Sequence, residues 1–138
     1  MKRYENNIFV SKKELYIISR GVIEFAQEMY WASTRLSKEY NNFCKKFHKK
    51  FTFSVVELDY VEESIGDLEF NIRNSDVKEI EISFPKESQS KRKLIIYTSL
   101  KECSKNFEEY EMSIRSGITK EQLDKVLNDF KALFPEKI

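Results

Sequence analysis

A mainly helical α+β fold is what three features of this 138-residue sequence predict. Apolar residues recur at helical spacing from Leu15 to Phe47. Four Ser/Thr-x-x-Glu/Gln capping boxes stand at separate points along the chain. Between them, three short segments alternate or concentrate apolar residues as strands do. The predicted architecture is a single domain over residues 1–138. It has a long N-terminal helix, a small three-stranded antiparallel sheet in the middle and two C-terminal helices.

The helix over 11–50 rests on spacing. Leu15, Ile18, Val22, Phe25, Met29, Ala32, Leu36, Tyr40, Phe43 and Phe47 follow one another at steps of three and four. At 100° per residue they fall in a band roughly 100° wide, the width of a core-facing stripe. Ser11 and Glu14 form the capping box at its start, with Val10 and Leu15 at the two staple positions. Unbroken, it would be roughly 57 Å long, more than a domain of this size can cover. Either it breaks near Ser33-Thr34 or Ser37, or it projects and pairs with a second copy. The expected homodimer is centred on Val22, Phe25 and Met29, because a self-complementary apolar patch closes a two-fold dimer.

The remaining elements follow in order. Residues 1–10 are a short polar arm. Ser54 and Glu57 make a second capping box, stapled by Phe53 and Leu58, and Gly66 stands where a C′ glycine belongs, which predicts a helix over 54–65. The sheet spans 68–98. Its strands are Leu68, Phe70 and Ile72 in alternation, then Ile80, Ile82 and Phe84, then Lys93 to Thr98, whose apolar residues on both faces place it centrally. Two helices fill 99–134. The first starts at a Ser99–Glu102 box and breaks at Ser116-Gly117. The second starts at a Thr119–Gln122 box, with Ile118 and Leu123 as its staple, and stops at Pro135.

Composition excludes some functions and leaves others open. Hydrophobic residues make up 41% and aromatics 14%, so the chain is not of a disordered type. The 24 Lys and Arg nearly cancel the 23 Asp and Glu, so only local clusters can speak for nucleic acid. Cys44 and Cys103 are expected as buried free thiols of a reducing compartment. No apolar run is long enough to span a bilayer and MKRYENNIF lacks a signal core, so a cytoplasmic protein with no membrane partner is expected. No catalytic residue, metal ligand set or cofactor motif emerges. The single histidine, His48, sits in a basic run, and the three glycines are isolated at 21, 66 and 117. Asp59 and Glu63 share a face at i, i+4 and would at most seed a cation site; a solvated acidic face is the plainer reading.

Two sets of residues point to binding. Trp31 lies roughly 150° from the stripe centre, among charges, and Ile17 lies near the same polar sector. Either the domain wraps over that sector or these residues anchor a protein partner. The second set is basic. Lys45, Lys46, Lys49 and Lys50 end the long helix, and Lys91, Arg92 and Lys93 precede the last strand. Together they would track a phosphate backbone, or separately compensate a helix dipole and solvate a loop.

Parts of the chain resemble winged-helix regulators of the MarR or SarA type. KKFTFSVVELDYVEE resembles the end of that family's first helix and the start of its second, SKRKLIIYTSLKE its wing, and SGITKEQLDKVLNDFKALF its C-terminal dimerisation helix. The resemblance covers about 45–65 and 91–134 and implies a dimeric DNA-binding regulator. Between Gly66 and Lys91, where that family places a helix-turn-helix, this chain has the strand-like LEFNIRN and VKEIEISFP, so no base-reading residue carries over. The expectation is therefore a small non-enzymatic protein that binds another protein, of inhibitor, immunity or adaptor type. A degenerate winged-helix DNA-binding regulator is the alternative.

Overall fold

The N-terminal arm is part of the sheet. In the computed structural model, which describes residues 1–31, 37–84 and 89–136, β1 (Lys2–Tyr4) and β2 (Asn7–Val10) form an antiparallel hairpin. β3 (Ile80–Ser83) adds to its other edge, giving the order β1-β2-β3. Ile8 faces Ile82 and Val10 faces Ile80, and all four are buried. Glu79, Glu81 and Ser83 alternate outward, the pattern of a sheet with one wet face. The fold is mainly helical α+β with one three-stranded antiparallel sheet, as predicted. Of the three strands expected within 68–98, the middle one is a strand; the other two members of the sheet come from residues 1–10.

Among the described residues six helices make up most of the remainder: α1 (Lys12–Trp31), α2 (Ser37–Phe51), α3 (Val55–Ile72), α4 (Gln89–Lys105), α5 (Met112–Ser116) and α6 (Lys120–Leu133). Three of the four capping boxes form at helix starts. Ser11 and Glu14 exchange their bonds at 2.8 and 3.1 Å, as do Ser54 and Glu57, and Thr119 and Gln122 do so at 3.0 and 3.1 Å. The staple residues beside them, Val10 and Leu15, Phe53 and Leu58, Ile118 and Leu123, are all buried. The fourth box does not form. Ser99 lies inside α4, where its hydroxyl donates to the Ile95 carbonyl at 2.7 Å.

Four expected boundaries move, and one of them divides the helix expected from Ser99 to Ser116, with α4 ending at Lys105 and α5 covering Met112–Ser116. α3 runs through Gly66 to Ile72, so Leu68, Phe70 and Ile72 are helical. Leu68 and Ile72 stand one turn apart and are half-buried, while Phe70 lies exposed on the opposite face, so the apparent alternation comes from an outward-facing aromatic. Residues 93–98, expected as the central strand, belong to α4, which packs on α1 and α6 with Ile95 and Ile96 buried and Leu94 and Tyr97 half-buried. The helix over 11–50 is not continuous. The Phe25 ring lies 6.4 Å from Phe47 and 5.3 Å from Phe51, whereas one helix would separate positions 25 and 47 by roughly 33 Å. α2 therefore folds back onto α1. The break sites considered at Ser33-Thr34, and the stripe positions Ala32 and Leu36, lie outside the described residues.

The Phe25, Phe47, Phe51 and Phe53 rings hold the fold-back, with Phe47–Phe53 at 5.6 Å and Phe51–Phe53 at 5.8 Å. Thr52 turns the corner from α2 into α3 at φ 61°, the left-handed region that β-branched residues avoid. α1 is the central element, packed on α3, α4 and α6 as well. Its contact with α4 is close because position 21 has no side chain. A Cβ there would stand 2.7 Å from Leu100 Cδ2, and the Cys103 thiol donates to the Gly21 carbonyl at 3.2 Å.

Gly21 and Gly66 give a matched prediction, since both are helical and only one is crowded. Gly66→Ala meets nothing within 4 Å and is expected to stabilise the protein by about 1 kcal/mol, the helix-propensity difference. Gly21→Ala is expected to destabilise it by about 1–2 kcal/mol, overpacking against buried Leu100 outweighing the same gain. Urea midpoints of the two variants decide, and shifts of the same sign would show that α1 and α4 do not approach as described.

Candidate functional site

Helix α3 presents two unlike faces. Val55, Leu58, Val61, Ile65 and Glu69 turn inward. Val56, Tyr60, Glu63, Asp67 and Phe70 follow at steps of four, three, four and three, which places them in one outward band roughly 80° wide and about 21 Å long. Val56 is 73% exposed, Tyr60 67% and Phe70 68%. Such side chains scattered singly need no explanation; three on one stripe form a patch. Arg73 steadies its C-terminal end, with its guanidinium 5.5 Å from the Phe70 ring centre while it forks onto both Glu69 oxygens at 3.1 and 2.6 Å.

The same helix is wholly acidic. It holds Glu57, Asp59, Glu62, Glu63, Asp67 and Glu69 and neither lysine nor arginine. At its middle, burial and neighbouring charge act in the same direction. Burial, then the Asp59 charge, pushes the Glu62 carboxyl up to about 7. Asp59 is raised as well, by burial and by Glu63. Among the described residues no three of His, Cys, Asp and Glu converge as metal ligands. Chemically, α3 offers apolar and aromatic anchors between carboxylates, which suits a cationic surface with apolar groups of its own.

The residues singled out in the sequence are placed differently from one another. Val22 and Phe25 are fully buried inside the chain and Met29 is half-buried, so they do not form an exposed dimer surface; the fold-back of α2 and the packing of α3, α4 and α6 already cover that stripe. Ile17 is buried too, beside Gln122 and Val126 of α6, so the domain does wrap over that sector. The Trp31 side chain lies outside the described residues. On α2, Lys45, Lys46, Lys49 and Lys50 are exposed, with Phe43, Phe47 and Phe51 turned to the core. The second basic set forms no wing. Lys91 donates to the Thr52 carbonyl, which brings it to the corner where α2 ends. Arg92 is half-buried and donates to the Ser83 carbonyl at 2.6 Å and the Ser64 hydroxyl at 2.8 Å, and Lys93 lies 4.8 Å from the Phe134 ring centre. Burial pushes the Arg92 guanidinium down from its usual range.

One buried charge cluster was not read from the sequence. Glu24 is fully buried and takes both Arg20 and Arg115, the latter at 3.4 Å; Arg115 also reaches Glu28 at 3.5 Å. Nearby, burial and then the Glu24 charge push the Cys103 thiol up, so it stays protonated and is no nucleophile. Among the described residues no helix is long and apolar enough to cross a membrane.

Glu62 makes stability depend on pH. The unfolded carboxyl loses its proton near 4.5 and the folded one near 7, so the folded state binds more protons in between. Stability therefore falls as pH rises from 4.5 to 7 and levels off above. Glu62→Gln should abolish that fall and gain about 1 kcal/mol at pH 8, the full shift being discounted for a half-open site. Urea unfolding across the pH range measures this; an unchanged slope would mean Glu62 is fully hydrated.

Comparison of the chain with protein-family models, with curated proteins and with solved structures finds no match, so its function is argued from its own surfaces.

Proposed function

We propose that the chain is a small non-enzymatic cytoplasmic regulator that works by binding another protein, as an inhibitor, immunity or adaptor protein does. The outer face of α3 makes the contact. The observation that carries this reading is the exposure of Val56, Tyr60 and Phe70 on one stripe, interleaved with Glu63 and Asp67. Tyrosine and phenylalanine supply large, stiff contact area, and surrounding carboxylates steer a basic partner and fix its register. The partner is therefore a basic protein segment with at least one apolar anchor. A homodimer belongs to the same proposal, through an exposed face rather than the buried Val22 and Phe25 stripe.

The second reading, DNA binding, is favoured by one feature, the exposed Lys45, Lys46, Lys49 and Lys50 on α2. Capture from a host extract treated with nuclease separates the two. Tyr60→Asp and Phe70→Asp are expected to weaken retention of the partner about tenfold or more, as loss of an aromatic hot spot does. Lys45→Gln with Lys49→Gln should leave it unchanged. Retention that disappears with nuclease and follows the lysines would replace this proposal with DNA binding, and sedimentation of the purified chain reports the homodimer.

A further inference from the structure

A cleft of about 580 Å³ opens between the first half of α1 and the end of α3, in the size range of small-molecule sites. Lys12, Lys13, Arg20 and Arg73 line it against a single carboxylate, Glu69, with Tyr16 and Ile72 completing the wall. The carboxylates within reach are already engaged. Glu69 is taken on both oxygens by Arg73, and Glu24 by Arg20 and Arg115. Lys12 donates to the neutral carbonyl of Ser75, which leaves its charge in place, and Lys13 has no carboxylate partner among the described residues. Arg20 Nε is buried with no hydrogen-bond partner.

The position of the two lysines adds an independent argument. They occupy the first turn of α1, where backbone N–H groups favour negative charge and a cation is unfavourable, and Glu14 of the same turn is committed to the Ser11 N–H and the N-terminal amine. A bound anion would reverse that conflict, and local conflicts of this kind concentrate at functional sites. A lone inorganic phosphate would fill a small part of the cleft, and the Tyr16 ring and Ile72 side chain offer an apolar wall for an organic body. The Tyr16 hydroxyl is fixed by donating to the Ser116 carbonyl at 2.6 Å, which holds the ring in place.

From the cleft, its uncompensated lysines and its apolar wall, we infer that this is a binding site for a small phosphorylated organic molecule, with Lys12 and Lys13 meeting the phosphate. It adjoins the protein-binding stripe at Arg73, which packs on Phe70, but does not rest on that reading. The test is an NMR titration of the whole chain with adenosine 5′-monophosphate and, separately, with inorganic pyrophosphate, at constant ionic strength held with sodium chloride. The expected result is saturable shifts at the amides of Lys13, Tyr16 and Ile72 with the nucleotide, and affinity about tenfold weaker in Lys13→Gln, the loss of one charge-assisted contact. Lys12→Gln with Lys13→Gln should remove binding, while Lys45→Gln with Lys49→Gln leaves it unchanged. Should the double cleft variant fail to fold, the single Lys13→Gln variant, which breaks no contact, carries the test. Shifts that never saturate, that track the α2 lysines, or that survive Lys13→Gln undiminished would overturn the assignment. Binding of pyrophosphate without the nucleotide would overturn the organic body.

Discussion

Leu100 fills the space that a side chain at position 21 would need, and most of the molecule is arranged around the contact this permits. With α4 drawn close along one side, α1 has α3, α6 and the returning α2 left to cover its other sides. A helix covered on nearly every side must bury what its polar sector carries. Here that sector holds Ser19, Glu24 and Cys103's acceptor, the Gly21 carbonyl. Glu24 is then tolerable only with cations at hand, and Arg20 from its own helix and Arg115 from the α5 turn supply them. Removing one of two arginines from a buried carboxylate is far more costly than never having placed it there. The cluster therefore ties the position of α5 to that of α1.

Capping chemistry was the most legible part of the fold. Ser11, Ser54 and Thr119 each bond their third following backbone N–H because each precedes a true helix start, and their staple residues are buried as that geometry requires. Ser99 shares the pattern but sits mid-helix, since a preceding residue free to leave the helix is a condition that four letters do not encode. LIIYTS reads as a central strand because a short apolar run is the same for a buried strand and a buried helix. Gly66 suggested a helix end, yet nothing in its surroundings requires a glycine. The strands of residues 1–10 were missed because the turn between them, Glu5-Asn6, holds a glutamate at φ 55° and no glycine, so Asn6 alone did not announce a hairpin. The fold-back of α2 left no trace in the periodicity, whose phase continues through Ser37.

The candidate surfaces were less legible for a related reason. Taking 68–73 as a strand divided the band that joins Val56 and Tyr60 to Phe70, so the stripe was not visible as one object. The near-zero net charge also concealed a division of charge. Lysines gather on α2 and carboxylates on α3, two helices joined at the Thr52 corner, and their sum says nothing about either face. Lys12 and Lys13 do leave a sign in the sequence, two cations beside Glu14 at the end of a helix where the dipole disfavours positive charge.

The pairing of β2 with β3 has a consequence for the order of assembly. Ile8 and Ile82 are neighbours in the sheet although α1, α2 and α3 lie between them in the chain. Closing so long a loop is entropically costly and is repaid only once the intervening helices have docked, whereas the β1–β2 hairpin is local. Until β3 arrives, β2 keeps an open edge with unpaired backbone groups beside apolar Ile8 and Val10, the feature by which nascent sheets join the wrong chain. The expected kinetic signature is late hydrogen-exchange protection of the Ile82 amide. Early protection there would mean that the strands meet before the helices do.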